Sequence, residues 1–149
     1  MSAEIEIRTL LETRTRHLHD KDADAVTALY ENGAVMFDLA PPLAYTVDKS
    51  HTRDGLRSWF ETWAGPVGYA AGDFVIHQHG ADFALAYGYM HMTGPRTDGT
   101  TTDSWFRQTL ALHKTAAGWR IAHEHTSAPM LMDGSERAAL DLKPTKLQP

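Results

Sequence analysis

Apolar positions recur at helical spacing in the first part of the chain and alternate in the last. Ile7, Leu10, Leu11, Arg14 and Leu18 fall on one stripe with charged flanks, which predicts a helix starting near residue 4. The polar run His19-Asp20-Lys21-Asp22 interrupts it, and Asp22 or Asp24 caps a second short helix ending at Leu29-Tyr30. Asn32-Gly33 is read as the close of that helix. A short strand over 34–39 follows, stopped by Pro41-Pro42, and 45–50 reads as an irregular, lid-like segment. Thr52 or Asp54 opens a third helix carrying Leu56, Trp59, Phe60 and Trp63, ended by Gly65-Pro66. From Tyr69 the period changes to two. Strands are predicted over 73–79 and 83–93, then, after the turn-rich stretch 94–100, a long hairpin over 103–129 around Thr115-Ala116-Ala117-Gly118. The tail 130–149 is polar, with a helical turn or two expected within 135–142.

Helices followed by a four-strand antiparallel meander predict an α+β fold in one domain, with a core over 4–129. Side chains two apart share a face of a strand. Counted that way, the hairpin puts Asp103, Trp105, Arg107, Thr109, Ala111 and His113 on one face. Trp119, Ile121, His123, His125 and Ser127 join it from the second strand. Apolar walls with a few polar groups describe a pocket lining. On the preceding strand Met90 and Met92 alternate with Ala84, Ala86 and Gly88, a smooth face that suits a dimer interface.

Composition narrows the function classes. The 149 residues carry a net charge of -5 and no basic run, which argues against nucleic-acid binding. There is no cysteine, so disulfides and thiolate chemistry are excluded. No segment approaches transmembrane length and the N-terminus is unlike a signal peptide, so a cytoplasmic protein away from the membrane is expected. No phosphate-cradling glycine loop or dinucleotide fingerprint occurs, and no organic cofactor is expected. Ser127 lacks the glycine elbow of a nucleophile.

The strand Asp103-Ser104-Trp105-Phe106-Arg107-Gln108-Thr109 followed by Gly118-Trp119-Arg120-Ile121-Ala122-His123-Glu124-His125-Thr126-Ser127-Ala128-Pro129 resembles the SnoaL-like branch of the nuclear transport factor 2 superfamily. The chain is similar to bacterial ketosteroid-isomerase homologues. Its His-x-His-x-Ser ending also resembles the association domain of calmodulin-dependent kinase II. The resemblance implies a cystatin-like cone, with N-terminal helices packed on a strongly curved antiparallel sheet. It also implies a homodimer and a pocket between sheet and helices. In ketosteroid isomerases an aspartate in the short strand after the second helix is the general base, and Asp38 stands at that place. The oxyanion hole of those enzymes does not carry over: the corresponding places hold Arg14 or Thr15, and Thr109.

The candidate chemistry follows from these residues. Asp38 is the candidate base. Arg107 suits two-point recognition of a planar anion, and His123 or His125 suits donation to a developing oxyanion. Trp59, Trp63, Phe74, Tyr89 and Trp105 would line a slot for a flat, small apolar molecule. Each has a plainer reading: a capping carboxylate, an ion pair bracing the sheet, structural histidines, core aromatics. His77, His79 and His91 with the other pair raise a three-histidine metal site, but no zinc motif supports it and no metal is assigned. The expected activity is cofactor-independent acid–base chemistry of isomerase, cyclase or dehydratase type on a small apolar carbonyl compound. The alternatives are a non-catalytic ligand-binding protein and an oligomerisation module of the same fold.

Overall fold

A computed structural model describes residues 1–147. The first helix, α1 (Ala3–His19), is capped by the Ser2 hydroxyl, which accepts from the Ile5 N–H, and carries Glu4 and Glu6 in its first turn. Its buried face is the stripe expected: Ile7, Leu10, Leu11, Arg14 and Leu18. Helix α2 (Ala23–Thr27) is capped by Asp22 and ends at Ala28. Asn32-Gly33 therefore closes no helix. It lies inside strand β1 (Tyr30–Phe37), where Gly33 takes φ +89° and the pairing register slips between Tyr30 and Val35. The glycine serves a bulge.

The segment read as irregular contains the two-residue strand β2 (Tyr45–Thr46) and the cap of α3 (Lys49–Phe60). Asp48, rather than Thr52 or Asp54, accepts from the Ser50 and His51 N–H groups. The Ser50 hydroxyl and those N–H groups hold its carboxyl down to about 2. Four long strands follow, β3 (Gly68–His79), β4 (Phe83–Pro95), β5 (Thr101–Thr115) and β6 (Gly118–Ser127). Among the described residues no helix is long and apolar enough to cross a membrane.

The six strands form one curved, unclosed mixed sheet in the order β2-β1-β6-β5-β4-β3, with β1 parallel to β6 and every other pair antiparallel. Bulges in β1, β3 and β6 bend it. Helix α1 covers the inner face, where its stripe meets Phe74, Ala84, Ala86, Met90, Phe106, Leu110 and Leu112. The Ala84-Ala86-Gly88-Met90 face assigned to a dimer interface is therefore core. Its small residues allow strands and side chains to close in: a Cβ at Gly88 would stand 2.2 Å from the Asp73 carbonyl oxygen. A second cluster joins Leu18, Ala23 and Val26 to Phe60, Trp63 and Val67. The tail forms no helix at 135–142. It turns back through the bridge between Met130 and Ala138, and the Leu147 N–H reaches Asp73 at 2.8 Å.

Candidate functional site

The inner face of the sheet is apolar except at one end, where five elements converge on a charged cluster. Arg14 comes from the middle of the α1 stripe, Tyr30 from the start of β1, Tyr69 from β3, Gln108 from β5 and Glu124 from β6. Arg14 is 1% exposed and Glu124 6%. The Arg14 guanidinium donates to the Glu124 carboxylate at 2.7 Å and to the Gln108 side-chain carbonyl, and the Tyr30 hydroxyl donates to the same Glu124 oxygen at 2.7 Å. The Gln108 amide in turn donates to the Tyr69 hydroxyl at 2.9 Å. Burying a charge is tolerable only when it is paired and hydrogen-bonded, and this network supplies that. One donor is left over: the Arg14 Nε–H is buried with no hydrogen-bond partner.

Burial pushes the Glu124 carboxyl up from its ordinary value. Arg14 and the Tyr30 hydroxyl act against that, while the charge of Asp38 adds to it. Burial and the Glu124 charge hold the Tyr30 and Tyr69 phenols well up. Tyr45, at the end of β2, is raised by burial, by Asp38 and by Glu124. The phenols thus keep their protons; the Tyr30 hydroxyl donates to Glu124, and the Tyr69 hydroxyl accepts from Gln108. Arg14 is a fixed cation, and Glu124 is the carboxyl in the cluster most disposed to hold a proton.

Asp38 follows β1 at the rim of this cluster. Its carboxylate accepts from the Thr126 hydroxyl at 3.2 Å and from the Leu39 N–H at 2.7 Å. It is exposed, not set in an apolar wall as a buried base would be. The other residues singled out from sequence lie elsewhere. Trp63 and Phe74 are buried in the two core clusters, and Trp59 packs on Phe60 and Trp63. Arg96 lies over the Trp63 ring at 4.1 Å. Tyr89, Trp105, Arg107, His123 and His125 are on the outer face of the sheet. There Arg107 donates to the Ser127 hydroxyl at 3.2 Å, His123 meets the Val35 carbonyl oxygen, and Trp105 stacks on His91 at 4.3 Å. Asp103 pairs with His91 at 2.6 Å.

The single face counted along the hairpin is split by a bulge. Leu112 pairs with Ile121 but Ala111 pairs with His123, so Ala122 is an extra residue in β6. Trp119 and Ile121 point inward; past the bulge the inward set becomes Glu124 and Thr126, and the two histidines turn out. On β5 the inner face is Phe106, Gln108, Leu110 and Leu112. Straight counting therefore misses Glu124 and Gln108, and Thr109, set by the resemblance at the place of the sheet carboxylic acid, lies on the outer face. The stronger signal on β5 was its own apolar alternation, which places Gln108 among Phe106, Leu110 and Leu112. For Glu124 no such signal exists, because the bulge is invisible in the sequence.

Among the described residues, two surface clefts lie away from this cluster. One of about 430 Å³ lies between α1 and the β5–β6 turn, beside Glu6, Leu10, Lys114 and Trp119; the other, about 320 Å³, lies between the tail, Asp73 and Trp105. Among the described residues no group of three or more His, Asp or Glu side chains is arranged to hold a metal ion.

The whole arrangement has close structural relatives. An NTF2-like protein of unknown function from Pseudomonas putida KT2440 is 27% identical and superposes with a TM-score of 0.81 over 97% of this chain and 99% of that one. A ketosteroid isomerase-like protein from Erwinia carotovora atroseptica is 25% identical, with a TM-score of 0.67 over 83% of this chain and 93% of its own. A Xanthomonas campestris protein assigned to the calcium/calmodulin dependent protein kinase II association domains shares the fold at 18% identity. Its TM-score is 0.73 over 83% of this chain and 86% of that chain. No curated protein matches the chain. The model of the SnoaL-like domain matches residues 7–131, and with the cystatin-like architecture just described this chain belongs to the SnoaL-like branch of the NTF2-like superfamily.

Proposed function

We propose that the protein binds a small, largely apolar carbonyl compound at the inner end of its cone and acts on it by acid–base chemistry without an organic cofactor. Asp38 is the base. The Arg14–Glu124–Tyr30 network, with Tyr45 beside it, is the preorganised donor set that takes up charge developing on the carbonyl oxygen. The observation that carries this reading is a position: the exposed Asp38 carboxylate accepts from the Thr126 hydroxyl at 3.2 Å, two residues along β6 from Glu124, which is buried against Arg14 and Tyr30. Two carboxyls in unlike environments take unlike roles, one accepting a proton and one holding it. Arg107, His123 and His125 lie across the sheet and take no part.

The test is hydrogen–deuterium exchange at carbon beside the carbonyl, followed by NMR in D2O over a panel of cyclic and linear ketones. The native protein should accelerate exchange of at least one of them. Asp38→Asn should lower that acceleration by about 100-fold or more while Glu124 stays in place. An unchanged rate in Asp38→Asn removes Asp38 from the mechanism. Binding without exchange favours the ligand-binding reading.

A second reading concerns assembly, and a different observation favours it. Among the described residues, the central rows of the sheet's outer face are part-buried or exposed and mix histidines with apolar side chains. Read across β1, β6, β5, β4 and β3 they run Val35–His123–Ala111–Leu85–His77 and Phe37–His125–Thr109–Tyr87–Val75. Val35 is 41% exposed and Phe37 39%. We propose that a second copy covers this face about a two-fold axis, making the homodimer expected from the resemblance but on the side opposite to Ala84 and Met90. The kinase association-domain relative is named for self-assembly, which is consistent with it. Tyr87→Arg, which puts a charge in the middle of the face, should give a folded monomer by sedimentation velocity.

A further inference from the structure

Six of the nine histidines lie on the outer face of the sheet. His77 pairs in register with Leu85 and His79 with Phe83; His91 pairs with Trp105, His113 with Phe83, His123 with Val35 and His125 with Phe37. On β4, Phe83, Leu85 and His91 alternate with the buried Ala84, Ala86 and Met90, and on β6 His123 and His125 flank the buried Glu124. Two of the six already hold acids of the same chain: His91 meets Asp103 at 2.6 Å and His113 meets Glu31 at 3.1 Å. Among the described residues the other four have no carboxylate partner. His77 faces the Tyr87 hydroxyl at 3.3 Å, His79 packs on Phe83, His123 meets the Val35 carbonyl oxygen, and both His123 and His125 stand edge-on to Phe37.

The charged groups around these four do not offset a positive charge. Arg107 lies beside Ser127 in the next row, and Arg120 ends the row that runs through His113 and Phe83 to His79. Lys143 and Lys146 approach with the tail near Asp103 and Asp73. The acids of the neighbourhood are spoken for: Asp103 by His91, Glu31 by His113, Asp73 by the Leu147 N–H, and Asp38 by Thr126 on the inner side. Asp82 sits at the β3–β4 turn, outside the central rows.

We infer that self-association through this face is proton-gated: two copies pair when these imidazoles are neutral and separate when they are protonated. The inference rests on the dimer reading above. When the faces close about a two-fold axis, His77, His79, His123 and His125 of both copies are brought into a layer of aromatic and aliphatic side chains. A neutral imidazole there is an ordinary flat, half-apolar group. An imidazolium must shed water, and it meets like charges with no carboxylate in the central rows. Pairing therefore releases protons, and the dimer weakens as pH falls through the range in which histidine titrates.

The experiment is sedimentation velocity on the full chain over a concentration series at constant ionic strength, from pH 7.5 to 5.5. Circular dichroism and tryptophan fluorescence are recorded at each pH. The expected result is a dimer at pH 7.5 whose dissociation constant rises about 30-fold or more by pH 5.5, the release of a single net proton per dimer being enough for that. The spectra should stay those of the folded chain. The double substitution His123→Gln, His125→Gln should flatten the dependence while keeping the dimer. A dimer of unchanged strength across the range overturns the proton gate and leaves the dimer standing. Dissociation that coincides with loss of the folded spectra, or that persists unaltered in the double variant, also overturns it. A monomer at every pH overturns the dimer reading and the gate with it.

Discussion

The two faces of the sheet carry polar residues one position apart, and they hold them in opposite ways. On β5, Gln108 points inward and Arg107 and Thr109 outward. Inside, Gln108 bonds Arg14 on one side and Tyr69 on the other, within a network that also includes Glu124 and Tyr30. Outside, Arg107 has one bond, to the Ser127 hydroxyl. The inner groups must be satisfied because water cannot reach them; the outer ones can turn to solvent at little cost. Ionic groups on the inner face are therefore bound to the fold. Those on the outer face are held by single local pairs, such as His91 with Asp103 and His113 with Glu31.

The largest expected difference is at Arg14. Arg14→Met leaves Glu124 buried without its cation and should destabilise the protein by about 3–5 kcal/mol in urea unfolding. Adding Glu124→Gln should recover part of that loss, a coupling visible in a double-mutant cycle. If the two effects simply add, the pair does not act as a unit. Next comes Gly88→Val on the inner side of β4. Its side chain would run into the Asp73 carbonyl and Phe74, and the expected cost is about 1–3 kcal/mol by the same measurement. Gln108→Leu, which strands an Arg14 donor and the Tyr69 hydroxyl, should cost about 1–3 kcal/mol. Arg107→Ala, one residue away, should change stability by no more than about 0.5 kcal/mol. Equal costs at 107 and 108 would erase the contrast between the faces.

A smaller effect concerns pH. The Glu124 carboxyl titrates above its ordinary value in the folded chain, so folding favours its protonated form. Its contribution is fully present below the unfolded carboxylate value and is lost as pH rises through the folded one. Relative to Glu124→Gln, the native protein should therefore lose stability as pH rises above the ordinary carboxylate range, read from urea midpoints at each pH. Asp48 works the other way. Its carboxyl is held at about 2, so the α3 cap is strongest above the ordinary carboxylate range and fails only in strong acid.

Much of this architecture is legible in the chain, and the illegible parts have physical causes. The α1 stripe, the second helix capped by Asp22, and the β3–β6 meander follow from periodicities of 3.6 and 2 that packing preserves. Asn32-Gly33 misleads because a glycine at positive φ serves a strand bulge as well as a helix end. The smooth Ala84-Ala86-Gly88 face reads in sequence as a dimer interface, but it packs against the protein's own interior, because small side chains suit either kind of close contact. Asp38 was singled out by place and does stand at the rim of the inner cluster. Glu124 lies between two histidines, and only the bulge at Ala122 turns it, rather than them, to the inner face.

Local spacing and motifs of consecutive residues were enough for the three helices, the β3–β6 meander, their order and the family. Only the tertiary structure decided which polar residues share an interior. One extra residue at Ala122 reverses every side chain after it, exchanging Glu124 and Thr126 for His123 and His125 on the inner face. The hydrogen bonds that fix the exchange run between chain positions about a hundred residues apart, and no local pattern records such a distance.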